Sequence, residues 1–347
     1  MTTVDGMARV QIGHSDLRVR PVGLGCMGMS QSYGDTDDST SMRTIRAALD
    51  LGVDHLDTSD VYGASDITWG VPIRGFGHNE ELIGKAISGR RDEVVLATKF
   101  AARINDTNDG IAIDGRPEYA TAACEASLRR LGTDVIDLYY CHRLDPRVPI
   151  EETVGAMAEL VDAGKVRAIG LSEVGPETLR RAQTVHPIAA LQSEYSLWER
   201  GVEGGIAETC AALGITLVAY SPLGRSALTG ALAADATLAK GDLRATNPRF
   251  TAENLETNLA PVAALNELAD QKGCRPGQLA LAWLLSRPFP VVTIPGTKRA
   301  EYVAENLAAT NVALSADESA YLSAAFAPGT IVGDRYAPAH ARTVAPR

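Results

Sequence analysis

Four residues have the types and spacing that proton-assisted chemistry at a carbonyl group requires: Asp57, Tyr62, Lys99 and His142. Asp57 lies in the apolar run 55–58, Lys99 follows the run 94–98, His142 follows the run 135–141, and Tyr62 comes five residues after Asp57. If those runs are parallel strands, all four side chains rise to one rim, the face on which barrel active sites form. Singly, each has an ordinary structural explanation: a turn cap, a half-buried aromatic, a solvated strand end, a satisfied loop histidine. Together they have a chemistry. A carbonyl that receives hydride develops negative charge on oxygen, and so needs a proton donor and electrostatic stabilisation. A tyrosine hydroxyl, with a reference pKa of ~10, is a weak donor. A neighbouring ammonium is expected to lower that value. Lys99 would supply the ammonium, Asp57 would hold Lys99 by a charged hydrogen bond, and His142 would orient the carbonyl oxygen.

The elements that would position these residues follow a βα rhythm. Strand-type runs at 22–25, 55–58, 94–98, 135–141, 166–171, 190–193, 216–220 and 291–295 alternate with helical spacing at 39–51, 79–87, 117–131, 150–163, 176–184, 205–213 and 299–307. An auxiliary helix at 260–272 precedes 277–285, which reads as the seventh helix of the series. Eight strand and helix pairs predict a (β/α)₈ TIM barrel, class α/β, as one domain over 1–330 with a C-terminal tail at 331–347. Ahead of the first strand, 9–13 and 17–20 flank His14, Ser15 and Asp16 and predict a β-hairpin that plugs the barrel floor. Three stretches read as long loops: 63–78, 224–256 and the tail from Pro328.

Composition narrows the function. An apolar share of 45% and a charged share of 22% fit a chain that buries a sizeable core. The net charge of −10 repels phosphate backbones and anionic lipid, which argues against nucleic-acid and membrane partners. No run approaches the ~18 apolar residues of a membrane span, and the first residues lack the pattern of a signal peptide, so a cytoplasmic location is expected. The five cysteines, Cys26, Cys124, Cys141, Cys210 and Cys274, form no CxxC. They read as reduced and structural, Cys26 and Cys141 lining a pocket at most. None of the six histidines forms an HxH or HxxxH pair, so no metal is expected.

Gly23, Gly25 and Gly28 match GxGxxG at a strand end, the pattern that cradles pyrophosphate when a helix begins at once. Here residues 30–38 intervene before the helical spacing starts. A glycine-rich barrel loop explains the pattern better.

The runs DTSDVYG at 57–63, NEELIG at 79–84, ATK at 97–99 and DLYYCH at 137–142 resemble those of the aldo-keto reductases. The resemblance continues in order through GKVRAIGLS at 164–172, YSPLG at 220–224 and IPGTKR at 294–299, and covers roughly residues 8 to 325. It looks most like the bacterial and plant branch that includes pyridoxal and auxin-related reductases. The resemblance implies a cofactor, NADP(H), and its contacts. Ser172 and Gln192 would hold the nicotinamide carboxamide, and Tyr220 would stack under the ring. Ser221, Leu223, Gly224 and Arg225 would meet the pyrophosphate. Gly296, Thr297, Lys298, Arg299, Glu305 and Asn306 would bind the adenosine end, where the cationic pair suits a ribose 2′-phosphate. Three positions depart from the family pattern. Gly296 and Tyr302 stand where well-known members carry basic residues, and Glu173 stands where many have asparagine.

The substrate, a small carbonyl compound, must be read from the loops. The stretch 63–78 carries Trp69, Ile73, Arg74 and Phe76, and Trp69 is expected in the pocket wall. Met27, Phe100 and Arg143 are expected there too, with Tyr33 and Trp198 as further candidates; Arg74 or Arg143 would suit an anionic group. Alternatives within the chemistry are a keto-sugar nucleotide or pyridoxal as substrate. An alternative outside it is a low-turnover regulatory subunit of the same fold, of the kind that potassium channel β-subunits represent. Oligomeric state is not legible in the sequence.

Overall fold

The eight apolar runs form eight parallel strands, and their register explains why the chemistry converges. They are β1 (Leu24–Gly25), β2 (His55–Asp57), β3 (Val95–Phe100), β4 (Ile136–Cys141), β5 (Val166–Ser172), β6 (Ala190–Glu194), β7 (Thr216–Tyr220) and β8 (Val291–Thr293), each hydrogen-bonded to the next in chain order. The computed structural model describes residues 8–64, 74–105, 110–233, 237–238 and 242–337. Asp57 pairs with Ala97, Lys99 with Tyr140, Cys141 with Leu171 and Gln192 with both Ser172 and Val218, so the chemistry-bearing residues all leave the sheet at the same rim.

The sheet closes where β1 meets β8. Val22 bridges Thr293 and Gly25 bridges Gly296, both in parallel sense, and the Gly23 amide donates to Thr293 O at 2.8 Å. A Cβ on Gly25 would lie 2.7 Å from Ile294 O, and one on Gly23 would lie 2.8 Å from His55 O. Two of the glycines of the GxGxxG pattern are therefore small because two strands approach there. A single 3₁₀ turn, Met27–Met29, follows them in place of a helix.

The helices that cover the sheet are α1 (Asp38–Asp50), α2 (His78–Ala86), α3 (Pro117–Leu131), α4 (Ile150–Asp162), α5 (Pro176–Val185), α6 (Ile206–Leu213), α7 (Ala252–Leu259), α8 (Val262–Lys272), α9 (Pro276–Leu285), α10 (Ala300–Ala308) and α11 (Ala316–Ala325). Local signals fix their ends. In α3, Pro117 supplies the helical φ without losing a needed donor, and Gly132 stops the helix in the left-handed region at φ 65°.

Strand alternation divides the core in two. Leu138 and Tyr140 of β4 join the cluster inside the barrel, while Tyr139 and Cys141 pack in the layer against the helices. The hairpin Val10–Gln11 with Arg18–Val19 adds Ile12, Leu17 and Val19 to the inner cluster and so plugs the barrel as expected. Each of these side chains contributes about 1.5–3 kcal/mol by leaving water.

Four features depart from the sequence reading. The stretch 224–256 holds short 3₁₀ turns and the start of α7. A second hairpin, Ala102–Ile104 with Ile111–Ile113, stands on the rim after β3. Helix α11 follows a capping box formed by Ser315 and Glu318. The tail does not trail away: Val332 exchanges hydrogen bonds with the Asn258 side chain, and residues 335 and 336 reach the rim. No helix among the described residues is long and apolar enough to cross a membrane, and no cluster of metal-ligand residues occurs among them. Burial pushes the Cys124, Cys141 and Cys210 thiols up to about 12, which keeps them protonated.

His55 is fully buried, and neither ring nitrogen has a hydrogen-bond partner among the described residues. Burial holds its pKa below the ordinary value. The unfolded chain therefore takes up a proton below pH ~6.5 that the folded chain refuses, and stability falls as pH drops, by about 1.4 kcal/mol per pH unit for this group. Urea midpoints measured between pH 7 and pH 5 should decline in the native chain and decline less in His55→Leu. Parallel declines would show that His55 is protonated in the folded state.

Candidate active site

Lys99 is fully buried at the end of β3, and its ammonium has three acceptors for its three hydrogens. They are Asp57 Oδ1 at 2.5 Å, Thr58 O at 2.7 Å and Tyr62 Oη at 3.2 Å. Because the ammonium donates to the phenol oxygen, the tyrosine keeps its own hydrogen to give elsewhere. The second oxygen of Asp57 accepts from Gln192 Nε2 at 2.7 Å, which fixes the carboxylate from the far side. The His142 ring stands nearly perpendicular to that of Tyr62, with centroids 5.9 Å apart. The structure thus brings together all four residues that the sequence singled out.

The electrostatics follow from burial and charge. Burial works to lower the Lys99 pKa, but Asp57 and Tyr62 outweigh it and the lysine stays charged. Burial raises the Tyr62 phenol above its ordinary value, while Lys99 pulls it back. This corrects the expectation of a net lowering: the ammonium offsets desolvation without reversing it. His142 is held well below the usual imidazole range by burial, then by Arg143 and Lys99, and is neutral at neutral pH. A protonated phenol beside a neutral imidazole suits an acid that delivers a proton to a developing alkoxide.

A cavity of about 880 Å³ runs from Tyr62 and His142 across Tyr220 to the start of α10. Of the residues expected to hold a cofactor, Ser172, Gln192, Tyr220, Ser221, Leu223, Arg225, Gly296, Thr297, Lys298 and Arg299 line it. Gly224, Glu305 and Asn306 do not. Gly224 is buried where a Cβ would lie 2.9 Å from Trp198 Cβ, and Glu305 and Asn306 sit on α10 away from the wall. After β7 the backbone adopts left-handed conformations at Ser221 (φ 48°), Gly224 (57°), Arg225 (55°) and Ser226 (78°). Three of these are not glycine, so the loop stores backbone strain of the kind that gathers at functional sites. At the other end, Lys298 Nζ donates to Tyr33 O at 2.7 Å and Asp35 O at 2.9 Å, while Arg299 lies over the Tyr302 ring. Arg244, which the sequence reading missed, joins them in the wall above the Tyr33 ring.

The expected substrate walls are partly corrected. Met27, Tyr33 and Arg143 line the cavity, with Arg143 donating to His142 O at 2.7 Å and Ser172 Oγ at 3.3 Å. Phe100 does not: it is fully buried and stacks on Tyr139 at 5.0 Å, because a neighbour of Lys99 in a strand must face the other way. Trp198 is buried against Phe250, Arg74 is tied to Asp38 and Thr36 O, and Phe76 lies under Arg130. Trp69 and Ile73 lie outside the described residues. Ala102, Ile104, Ile111 and Ile113 of the rim hairpin give the cavity an apolar wall beside Tyr62.

Three site residues had no signal in the sequence. Arg335 of the tail donates to Glu173 Oε2 at 2.7 Å and to Glu194 Oε2 at 3.2 Å, and Arg225 reaches the same Glu194 oxygen at 3.3 Å. Burial works against charge on Glu194, but Arg225, Arg335 and Arg249 overcome it and hold its carboxyl below the usual range. Tyr336 hydrogen-bonds Tyr220 through the two hydroxyls and lies beside Arg225. Glu173 also accepts from the Glu194 amide at 2.9 Å, so in this structure its carboxylate serves the tail and the backbone.

The family model for the aldo/keto reductase family matches residues 21–326. Among solved structures, the glycerol dehydrogenase of Gluconobacter oxydans is 29% identical with a TM-score of 0.82, over 97% of this chain and 99% of that one. An aldo/keto reductase from Klebsiella pneumoniae, solved in complex with NADP and acetate, is 27% identical with a TM-score of 0.70, over 95% and 99% of the two chains. An aldo-keto reductase from Bacillus halodurans, in its holo form, is 27% identical with a TM-score of 0.73, over 92% and 96%. With a family model covering most of the sequence and a closed eight-stranded barrel carrying the four linked residues on its rim, this chain belongs to the aldo/keto reductase family.

Proposed function

We propose that this enzyme reduces a small aldehyde or ketone with NADPH, Tyr62 acting as the proton donor. The observation that carries the reading is the saturated ammonium of Lys99, which joins Asp57 to the Tyr62 oxygen and leaves the phenol hydrogen free. The NADP bound by the Klebsiella relative agrees with the cavity chemistry here: a strained polar loop with Ser221, Arg225 and Ser226, an aromatic floor at Tyr220 and cations at the far end. Bound NADPH supplies the hydride. This chain's residues do the rest. Tyr62 gives its proton to the carbonyl oxygen as the carbon–hydrogen bond forms, Lys99 stabilises the phenolate left behind, Asp57 fixes Lys99, and His142 presents Nε2 to the same oxygen. The apolar hairpin wall excludes water from the oxygen while charge develops. Residues Ser172 and Gln192 would hold the carboxamide of the nicotinamide. A complete linked tetrad favours turnover over a purely regulatory role.

Lys298, Arg299 and Arg244 favour a cofactor with the 2′-phosphate. Arg299 is the least committed, since among the described residues its side chain bonds only to Tyr302, at 3.4 Å. Arg299→Ala should raise the KM for NADPH about tenfold, the value of one charge-assisted hydrogen bond, and leave that for NADH nearly unchanged. An equal change for both cofactors, or a native preference for NADH, would remove the 2′-phosphate assignment.

A further inference from the structure

Behind His142 lies a buried acid that the proposed reaction does not use. His142 Nδ1 is 3.2 Å from Ser59 Oγ, and Ser59 Oγ is 3.2 Å from Asp60 Oδ1. Asp60 is fully buried, and its Oδ2 has no hydrogen-bond partner among the described residues. Its backbone is held on both sides, the amide donating to Lys99 O at 3.2 Å and the carbonyl accepting from the Gly77 amide at 2.7 Å. The groups that face it are Glu80, Arg130, Tyr119 and Tyr139. The Arg130 guanidinium is already committed to Glu80 at 2.6 Å, and Glu80 also accepts from Thr98 at 2.6 Å. An ionised Asp60 would thus be a second buried anion beside Glu80 with no cation of its own among the described residues, a costly state. Burial, then Glu80, push its carboxyl well above the usual range against the pull of Arg130.

The protonation of Asp60 decides which way the chain of hydrogen bonds runs. Ser59 has one hydrogen and three acceptors in reach: Asp60 Oδ1, Lys99 O at 3.4 Å and His142 Nδ1. A carboxylate at Asp60 would draw that hydrogen, present a serine lone pair to Nδ1, and place the imidazole proton there. Nε2 would then face the cavity as an acceptor, the wrong polarity for an alkoxide. A carboxylic acid reverses every link. We infer that Asp60 acts as a neutral acid that donates to Ser59, that Ser59 donates to His142 Nδ1, and that this one-way chain holds His142 as the Nε2–H tautomer able to donate to the substrate oxygen. No proton leaves the chain during the reaction; Asp60 and Ser59 are positioning residues. The inference rests on the carbonyl-orienting role of His142 given under Proposed function.

Two spectroscopic measurements test it without turnover. In the full chain with ¹⁵N-labelled histidine, assigned by comparison with His142→Gln, His142 should be Nε2–H at neutral pH, both in the native protein and in Asp60→Asn, whose amide also donates. The infrared difference between native protein and Asp60→Asn at pH 7 should contain one protonated carboxyl C=O band, in a region where ionised carboxylates do not absorb. An Nδ1–H tautomer, or a difference spectrum with carboxylate bands alone, overturns the inference. In kinetics, Ser59→Ala should lower kcat by about tenfold, less than the ~10²–10³ for loss of a whole oxyanion donor, while Asp60→Asn keeps most of the native rate. Ser59→Ala with the native kcat also overturns it, and if that variant does not fold, the two spectra on native protein and Asp60→Asn decide. Absence of carbonyl turnover in the native chain would sink the proposed function alone, since the tautomer and the acid band are read without substrate.

Discussion

Replacing Tyr62 by phenylalanine is expected to lower kcat for carbonyl reduction by about 10²–10⁴-fold, the range for a lost general acid. The affinity for NADPH should barely change. The change deletes one oxygen, and the ring still packs with Val61, Ala64 and Ala102. Lys99 keeps Asp57 and Thr58 O as partners, so the buried ammonium loses only its third acceptor. On the proposed mechanism the same phenol sets the pH dependence. Because burial raises the Tyr62 pKa despite Lys99, the acid form persists through neutral pH, and the rate of reduction should stay flat until above pH ~10, then fall. Alcohol oxidation needs the phenolate and should rise over that same alkaline range. Initial rates in both directions between pH 6 and pH 10.5 check this; a reduction rate that falls between pH 7 and pH 8 would assign the proton donor elsewhere.

Replacing Lys99 by methionine should damage both turnover and stability, and the two effects can be separated. Methionine fills much of the lysine volume but leaves the buried Asp57 carboxylate with Gln192 as its remaining hydrogen-bond partner. Breaking one side of a buried ion pair costs about 3–5 kcal/mol. Adding Asp57→Asn removes the stranded charge, so the double variant should regain much of the stability seen in urea denaturation. It should not regain activity, because the phenolate formed by proton transfer still lacks its cation. A double variant that recovers both would show that Lys99 matters for folding alone.

Much of this arrangement was legible in the sequence because it is local or periodic. Strand runs at regular intervals specify a parallel barrel, and a parallel barrel carries residues at the ends of its strands to one rim, which is why their spacing alone groups Asp57, Lys99 and His142. The misplacement of Phe100 breaks the same rule: if Lys99 faces the site, its neighbour in β3 faces the helices. The rim hairpin after β3 leaves little trace in the sequence because its two strands are only three residues each. Arg335 and Tyr336 were invisible for a different reason. Their partners Glu173, Glu194 and Tyr220 lie more than one hundred positions away in the chain, and no local pattern encodes a tail that folds back onto a barrel rim. Arg225 and Lys298 were found, but their partners in the protein were not: a buried glutamate for one, and the carbonyls of Tyr33 and Asp35 for the other.

A crystal structure of the full chain with NADP⁺ and a slowly reacting carbonyl compound tests the central claim most directly. The account predicts the carbonyl oxygen within hydrogen-bond reach of both the Tyr62 hydroxyl and His142 Nε2, with the carbonyl carbon roughly 3–3.5 Å from C4 of the nicotinamide. A carbonyl oxygen bound away from Tyr62, or a nicotinamide ring outside the space between Tyr220 and the Tyr62 hydroxyl, would contradict it.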